Sequence, residues 1–243
     1  MIDYKSTVDE IIASGTDTAI IPIGSTEQHG PHLPMCTDIC TAEYIARGIA
    51  EKTGAYLLPT LPISTCYEHK GKKGSVWMRP TTFYNMLQDI CLCLRDQGFK
   101  KIGVVLGHGG IFIANPAIRE LNACYDDIKV ARLDLTTYFT DPELSNILEF
   151  RGNLHACEFE TSAMLYLMED AVKKEKIAEA DFVPDVPREY MNYQPLVKLS
   201  KTGVWGKPSL GTKEKGEKIM KLLVEKACAD MEKAFELCTY EEW

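Results

Sequence analysis

"TAIIPIGSTEQHGPHLPMCTD", residues Thr18 to Asp38, joins an apolar run to a dense polar one. Thr18–Gly24 has the length and β-branched content of a buried strand. Glu27, His29, His32 and Asp38 follow directly, all side chains that ligate metal ions. "TDICTAEYIARGIAEKTG" then reads as a helix that starts near Thr37 or Asp38 and closes at Gly54. Strand, polar loop and helix make the first half of a βαβ unit.

Working outward, the alternation repeats. "AYLLPTLPIS" is a second strand, and "TTFYNMLQDICLCLRDQGF" a helix with apolar positions recurring at three and four. "KKIGVVLGHGG" is a third strand ending in a glycine-rich turn. "NPAIRELNACY" follows as a helix with Asn115 as N-cap and Pro116 at its first position. "KVARLDL" is a fourth strand, "EFETSAMLYLMEDAV" a further helix, and residues 211–238 a long amphipathic one. Strands alternating with helices imply a mainly parallel sheet in a layered α/β fold. Neither an internal repeat nor a linker is visible, so residues 1–243 read as one domain. Residues 181–211, rich in proline and aromatics, form a long excursion; Tyr190, Tyr193 and Trp205 favour a functional role for it.

Composition narrows the partners. A net charge of −8 and a pI near 5.2 argue against a nucleic-acid or anionic-membrane surface. The apolar runs are too short to span a bilayer, and the N-terminus lacks the basic and apolar regions of a signal peptide. Nine cysteines without a CxxC pair read as free thiols of a cytoplasmic protein. Cys36, Cys40 and Cys157 lie near the candidate ligands but read as small buried hydrophobes.

Ligands of parallel sheets gather outside the carboxyl ends of the strands. Three polar clusters stand at such places: the opening stretch, "LGHGG" with His108, and "LHACEFETS" with His155, Glu158 and Glu160. Four of the five histidines fall in them; the fifth, His69, is in the basic, glycine-rich "YEHKGKKGSVW". Singly, Glu27 and Asp38 also fit helix caps, and His29 and His108 fit buried structural residues. Their joint placement at strand ends favours a site. Imidazole with carboxylate suits Zn, Mn or Fe, whereas calcium wants oxygen alone. Glu27, His29, Asp38, His108 and a carboxylate from Glu158 or Glu160 exceed what one open tetrahedral site uses. Two divalent ions sharing a carboxylate accommodate them, with water activated to hydroxide between them.

These motifs resemble the creatininase (creatinine amidohydrolase) family: "PIGSTEQHGPHLPMCTD", "GHGG", "HACEFETS" and "GVWGKPSLGTKEKG" occur in the family's order across nearly the whole chain. The resemblance implies a three-layer α/β/α sandwich, hexameric assembly, and a binuclear Zn or Mn centre (sometimes Fe) that hydrolyses non-peptide C–N bonds. It implies that Glu27 and His108 hold one metal, His29 the other, and Asp38 bridges them. His155 matches the histidine that contacts substrate and moves the proton.

Departures bear on the substrate. Creatininase proper carries a glutamate two residues after the "GH" histidine, where this chain has Gly110, and an apolar residue where it has Glu158. The expectation is a swap, with Glu158 as metal ligand and Glu160 joining His155 in the catalytic set; reversed roles are the alternative. Gly109 and Thr136 stand where creatininase proper has rings that sandwich creatinine. Lys70, Lys72, Lys73, Arg79 and Lys207, if they face the pocket, imply a polar or anionic small-molecule substrate. The expected activity is hydrolysis of a small cyclic amide or a formamide-type bond. Ring opening of a diketo-inositol (3-dehydro-scyllo-inosose) is the alternative on the same metals, and a non-catalytic metal-binding protein the alternative from another class.

Overall fold

Six-residue strands form where the β-branched runs predict them. A computed structural model describes residues 1–237. Its elements run α1 (Val8–Ser14), β1 (Thr18–Ile23), α2 (Thr37–Thr53), β2 (Tyr56–Leu57), α3 (Pro80–Asp96) and β3 (Lys101–Leu106). They continue with α4 (Ala114–Cys124), β4 (Lys129–Asp134), α5 (Pro142–Ile147), α6 (Glu158–Leu167), α7 (Leu196–Leu199) and α8 (Lys213–Leu237). The sheet order is β2-β1-β3-β4, every pair parallel.

Because alternate strand residues face opposite ways, the sheet feeds two cores. Ile20, Val105 and Leu133 pack with Ile45 and Ile49 of α2 and Ile219, Leu223 and Met231 of α8. Ala19, Ile21, Val104 and Val130 pack with Phe83 and Leu87 of α3 and Ile118 and Leu121 of α4. The result is a three-layer α/β/α sandwich. The long excursion is fastened by backbone bonds between His155 and Trp205 and between Phe182 and Gly206. No helix among the described residues is long and apolar enough to cross a membrane.

Three expectations shift. The second strand shrinks to two paired residues, because Pro59 and Pro62 supply no N–H to the ladder. Single bonds from Leu58 and Leu61 still lead the chain along β1. Helix α4 begins at Ala114 with Ile113 at its cap, so Asn115 lies inside the first turn and caps nothing. Helix α6 ends at Leu167, and a 3₁₀ turn, Glu169–Ala171, takes the rest of the predicted segment. The predicted end of the last helix at Cys238 lies outside the described residues.

With this strand order, the chain leaves β1 toward one edge and β3 toward the other. The crevice beyond their carboxyl ends is the topological switch point, where such sheets bind ligands. Two glycines let α2 enter it. A Cβ on Gly24 would lie 2.6 Å from the Ile39 backbone, and one on Gly107 2.6 Å from the Asp38 carbonyl. Only bare backbone at both strand ends admits the first turn of α2, and with it Asp38.

Candidate metal centre

Each element delivers its side chain to that crevice. Glu27 and His29 come from the loop after β1, Asp38 from the first turn of α2, and His108 from the turn after β3. His155 precedes α6 and Glu160 lies in its first turn. A 3₁₀ turn, Tyr67–His69, adds His69 and Glu68. Between His155 and Cys157, Ala156 is held at φ 48°, a left-handed conformation that costs an alanine about 1–2 kcal/mol.

His29 Nε2 lies 3.1 Å from Asp38 Oδ1 and 3.6 Å from Glu160 Oε1. His108 Nδ1 lies 3.1 Å from Glu27 Oε2 and 3.2 Å from Asp38 Oδ2. Asp38 thus turns one oxygen to each histidine. His69 Nε2 is 3.0 Å from Glu27 Oε1, and His155 Nδ1 is 3.8 Å from the same atom. Ligand atoms within 4.8 Å of one another form three overlapping groups: Glu27 with His69 and His108, Glu27 with His29 and His155, and His29 with Asp38 and Glu160. No cysteine belongs to them. Asp38 is no N-cap, since Cys36 holds that position.

The donor set fits a cation. Both oxygens of Glu27 and Oδ2 of Asp38 are buried with histidine rings at 3.0–3.2 Å but without an aligned hydrogen bond, and a buried carboxylate left without one is expensive. His29 Nδ1 is 3.1 Å from the Glu27 backbone carbonyl. A carbonyl only accepts, so the ring donates from Nδ1, and Nε2, facing the oxygens of Asp38 and Glu160, is the nitrogen that could ligate a cation once it carries no proton. So many buried acceptors at such range need a positive charge among them, which either a proton or a cation can supply.

Electrostatics agree. Burial opposes ionisation of Glu27, yet the His108 and His69 rings outweigh it and hold the carboxyl well below its usual range. Burial likewise opposes protonation of His29 and His108, but the carboxylates beside them win and raise both. The acids thus draw positive charge strongly enough to hold protons on buried imidazoles. A divalent cation competes with those protons for the same lone pairs. His155 behaves oppositely: burial, then the neighbouring His69 and His29, keep it neutral. It donates from Nε2 to the Gln28 carbonyl at 2.7 Å, leaving Nδ1 open toward Glu27.

Glu158 stays away from this centre. Its carboxylate accepts from the Glu149 and Phe150 N–H groups at 3.0 Å, Asn153 Nδ2 at 3.2 Å and Lys215 Nζ at 2.7 Å. Two residues on, Glu160 meets His29 and falls in a ligand group with Asp38, so Glu160 rather than the expected Glu158 brings its carboxylate to the cluster. His32 also falls outside the ligand groups; its Nε2 pairs with Thr161 Oγ1 at 2.9 Å.

A cavity of about 920 Å³ opens onto the centre. None of Lys70, Lys72, Lys73, Arg79 or Lys207 lines it, and Lys72 instead donates to the Lys201 carbonyl. Gly109 and Thr136 do border the cavity, but Tyr67, Phe112, Phe139 and Tyr193 return aromatic walls from other segments. Sequence reasoning left out Glu68, His69 and Gln28. Gln28 Nε2 lies 3.0 Å from His69 Nδ1 and donates to the Gly203 carbonyl at 3.1 Å. The available signal was positional: "YEH" also follows a strand.

Comparison with known proteins places the chain in a family. The family model described as creatininase, creatinine amidohydrolase, matches residues 5–231. The chain belongs to the creatininase family. It is similar to the creatinine amidohydrolase of Pseudomonas putida, 27% identical over 230 residues that cover 88% of each chain. It is also similar to the 3-dehydro-scyllo-inosose hydrolase of Thermotoga maritima, 28% identical over 70% of this chain and 57% of that one. The crystal structure of creatininase superposes with a TM-score of 0.83 at 25% identity, covering 96% of this chain and 98% of the other. Similar solved creatininase-family structures include zinc and manganese forms.

Proposed function

We propose that this chain is a two-metal amidohydrolase that cleaves a small cyclic amide or a formamide-type C–N bond. The observation that carries the reading is the convergence of Glu27, His29, Asp38, His108 and Glu160 on one buried spot, where both Glu27 oxygens and Asp38 Oδ2 lack an aligned hydrogen bond. Glu27 and His108 would hold one ion, His29 and Glu160 the other, and Asp38 would lend one oxygen to each. Bound Zn or Mn would polarise the substrate carbonyl and supply hydroxide near neutral pH.

The remaining residues orient substrate and move the proton. His155 has committed Nε2–H to a backbone carbonyl, so Nδ1 is the atom that takes up a proton and returns it to the departing nitrogen. The rings of Tyr67, Phe112 and Phe139 offer flat apolar surface to the substrate.

The test combines metal analysis with a panel of creatinine, formamidopyrimidines and diketo-inositols. Turnover of an amide or formamide that stops on chelation is the expected result. Metal-dependent turnover of the diketo-inositol alone would favour C–C ring opening, the second reading, which the likeness to the Thermotoga maritima hydrolase supports. Purified protein that binds neither Zn nor Mn would refute both.

A further inference from the structure

We infer that Glu68 is the positioning residue for His108, and that position 110 is glycine because the Glu68 carboxylate occupies the space of its side chain. The inference rests on the two-metal reading and adds to it a residue outside the five proposed ligands.

Glu68 lies on the 3₁₀ turn Tyr67–His69, borders the cavity and has a side chain only 18% exposed. Its Oε1 is 3.0 Å from His108 Nε2, while the Nδ1 edge of that ring faces Glu27 and Asp38. The approach is off the N–H axis, so Glu68 meets the ring's N–H obliquely rather than in an aligned hydrogen bond. An imidazole that ligates through Nδ1 carries its proton on Nε2, and a carboxylate there fixes both tautomer and ring direction. Glu68 is the acid placed to do this.

Gly110 gives the second, independent observation. A Cβ built on it would lie 2.8 Å from the Glu68 carboxyl carbon, and closer still to Glu68 Oε1 and His108 Nε2. The backbone at 110 is not left-handed, so conformational freedom does not explain the glycine. Close approach does. Thr65 Oγ1 donates to the Gly110 carbonyl at 2.9 Å, tying the loop that carries Glu68 to the turn that carries His108. The two loops are fitted around one carboxylate.

The test measures Zn and Mn dissociation constants by chelator competition, with the melting temperature of the chelated protein recorded alongside. Glu68→Ala and Glu68→Leu, the second preserving bulk without an acceptor, are expected to weaken binding about 10–100-fold with the chelated protein melting as before. Glu68→Gln keeps an oxygen for the His108 N–H and is expected to stay within about threefold of the parent. Gly110→Ala, which displaces the carboxylate, is expected to weaken binding by a similar factor to Glu68→Ala. Should Glu68→Ala fail to fold, Glu68→Leu decides. Parental affinity in the Ala or Leu variant, or a Gln variant as weak as they are, would overturn the inference. Parent protein that binds neither metal would instead fell the two-metal reading itself.

Discussion

Glu158→Gln and Glu160→Gln should part metal binding from stability. The Glu158 carboxylate takes two backbone N–H groups, the Asn153 amide and the Lys215 ammonium. A glutamine keeps one acceptor oxygen and turns an NH₂ toward these donors, losing about two bonds. Lys215 retains Glu149 at 2.6 Å and the Leu210 carbonyl at 2.8 Å, so its charge is not stranded. At about 1.5–3 kcal/mol per bond to a charged group, partly offset by hydration, the net cost is about 3 kcal/mol. For a domain of this size that is a fall in Tm of about 6–12 °C. Thermal melts of the chelated protein read it, and elemental analysis after metal loading should show the parental ion content. Glu160→Gln is expected to do the reverse, losing about one ion per chain with a chelated Tm within about 2 °C of the parent. The pH dependence has a definite sign. Burial opposes ionisation of Glu158, but the Glu149 N–H, Lys215 and the Phe150 N–H outweigh it and lower the folded pKa. Its contribution is therefore complete above the ordinary carboxylate pKa and lost as pH falls through the lowered one. The gap between parent and Glu158→Gln should accordingly close on acidification. A Glu158→Gln protein that loses an ion and melts like the parent would refute the assignment of these two acids.

Chelation of the metal-loaded protein should lower Tm: at free metal one hundred times Kd, binding adds about 2.7 kcal/mol, and identical melting curves would count against a metal centre. His155→Ala should keep both ions and lose about 10²–10⁴-fold in kcat with little change in KM, measured on the substrate found by the panel; unchanged kcat would remove His155 from proton transfer. Replacing Lys70, Lys72 and Lys73 together with Ala should alter kcat/KM by less than about threefold, since none lines the cavity; a tenfold loss would bring them back to the substrate. Light scattering is expected to show a hexamer, and a monomer at working concentration would refute that assembly.

What could be read beforehand followed from backbone logic. The β-branched runs made β1 and β3 legible, and the strand-end rule then pointed to Glu27, His29 and His108. Glu158 and Glu160 could not be told apart because the answer depends on the rotation of α6 about its axis. That rotation is set by α8 and Lys215, 57 residues beyond Glu158 in sequence. His69 and Glu68 escaped because a single 3₁₀ turn has no periodicity, and the lysines beside them drew attention to charge. The aromatic wall was invisible for a related reason: Tyr67, Phe112, Phe139 and Tyr193 are remote in sequence and meet only in the folded chain.

The contact of α2 with Gly24 and Gly107 reaches into the chemistry. Peptide planes touching without intervening side chains have almost no slack, so the gap between the β1 loop and Asp38 is gauged by rigid covalent geometry rather than by adjustable rotamers. The walls formed by residues 188–196, in contrast, are largely exposed to solvent. Reshaping them can redirect which molecule enters while the interval that governs reactivity stays fixed.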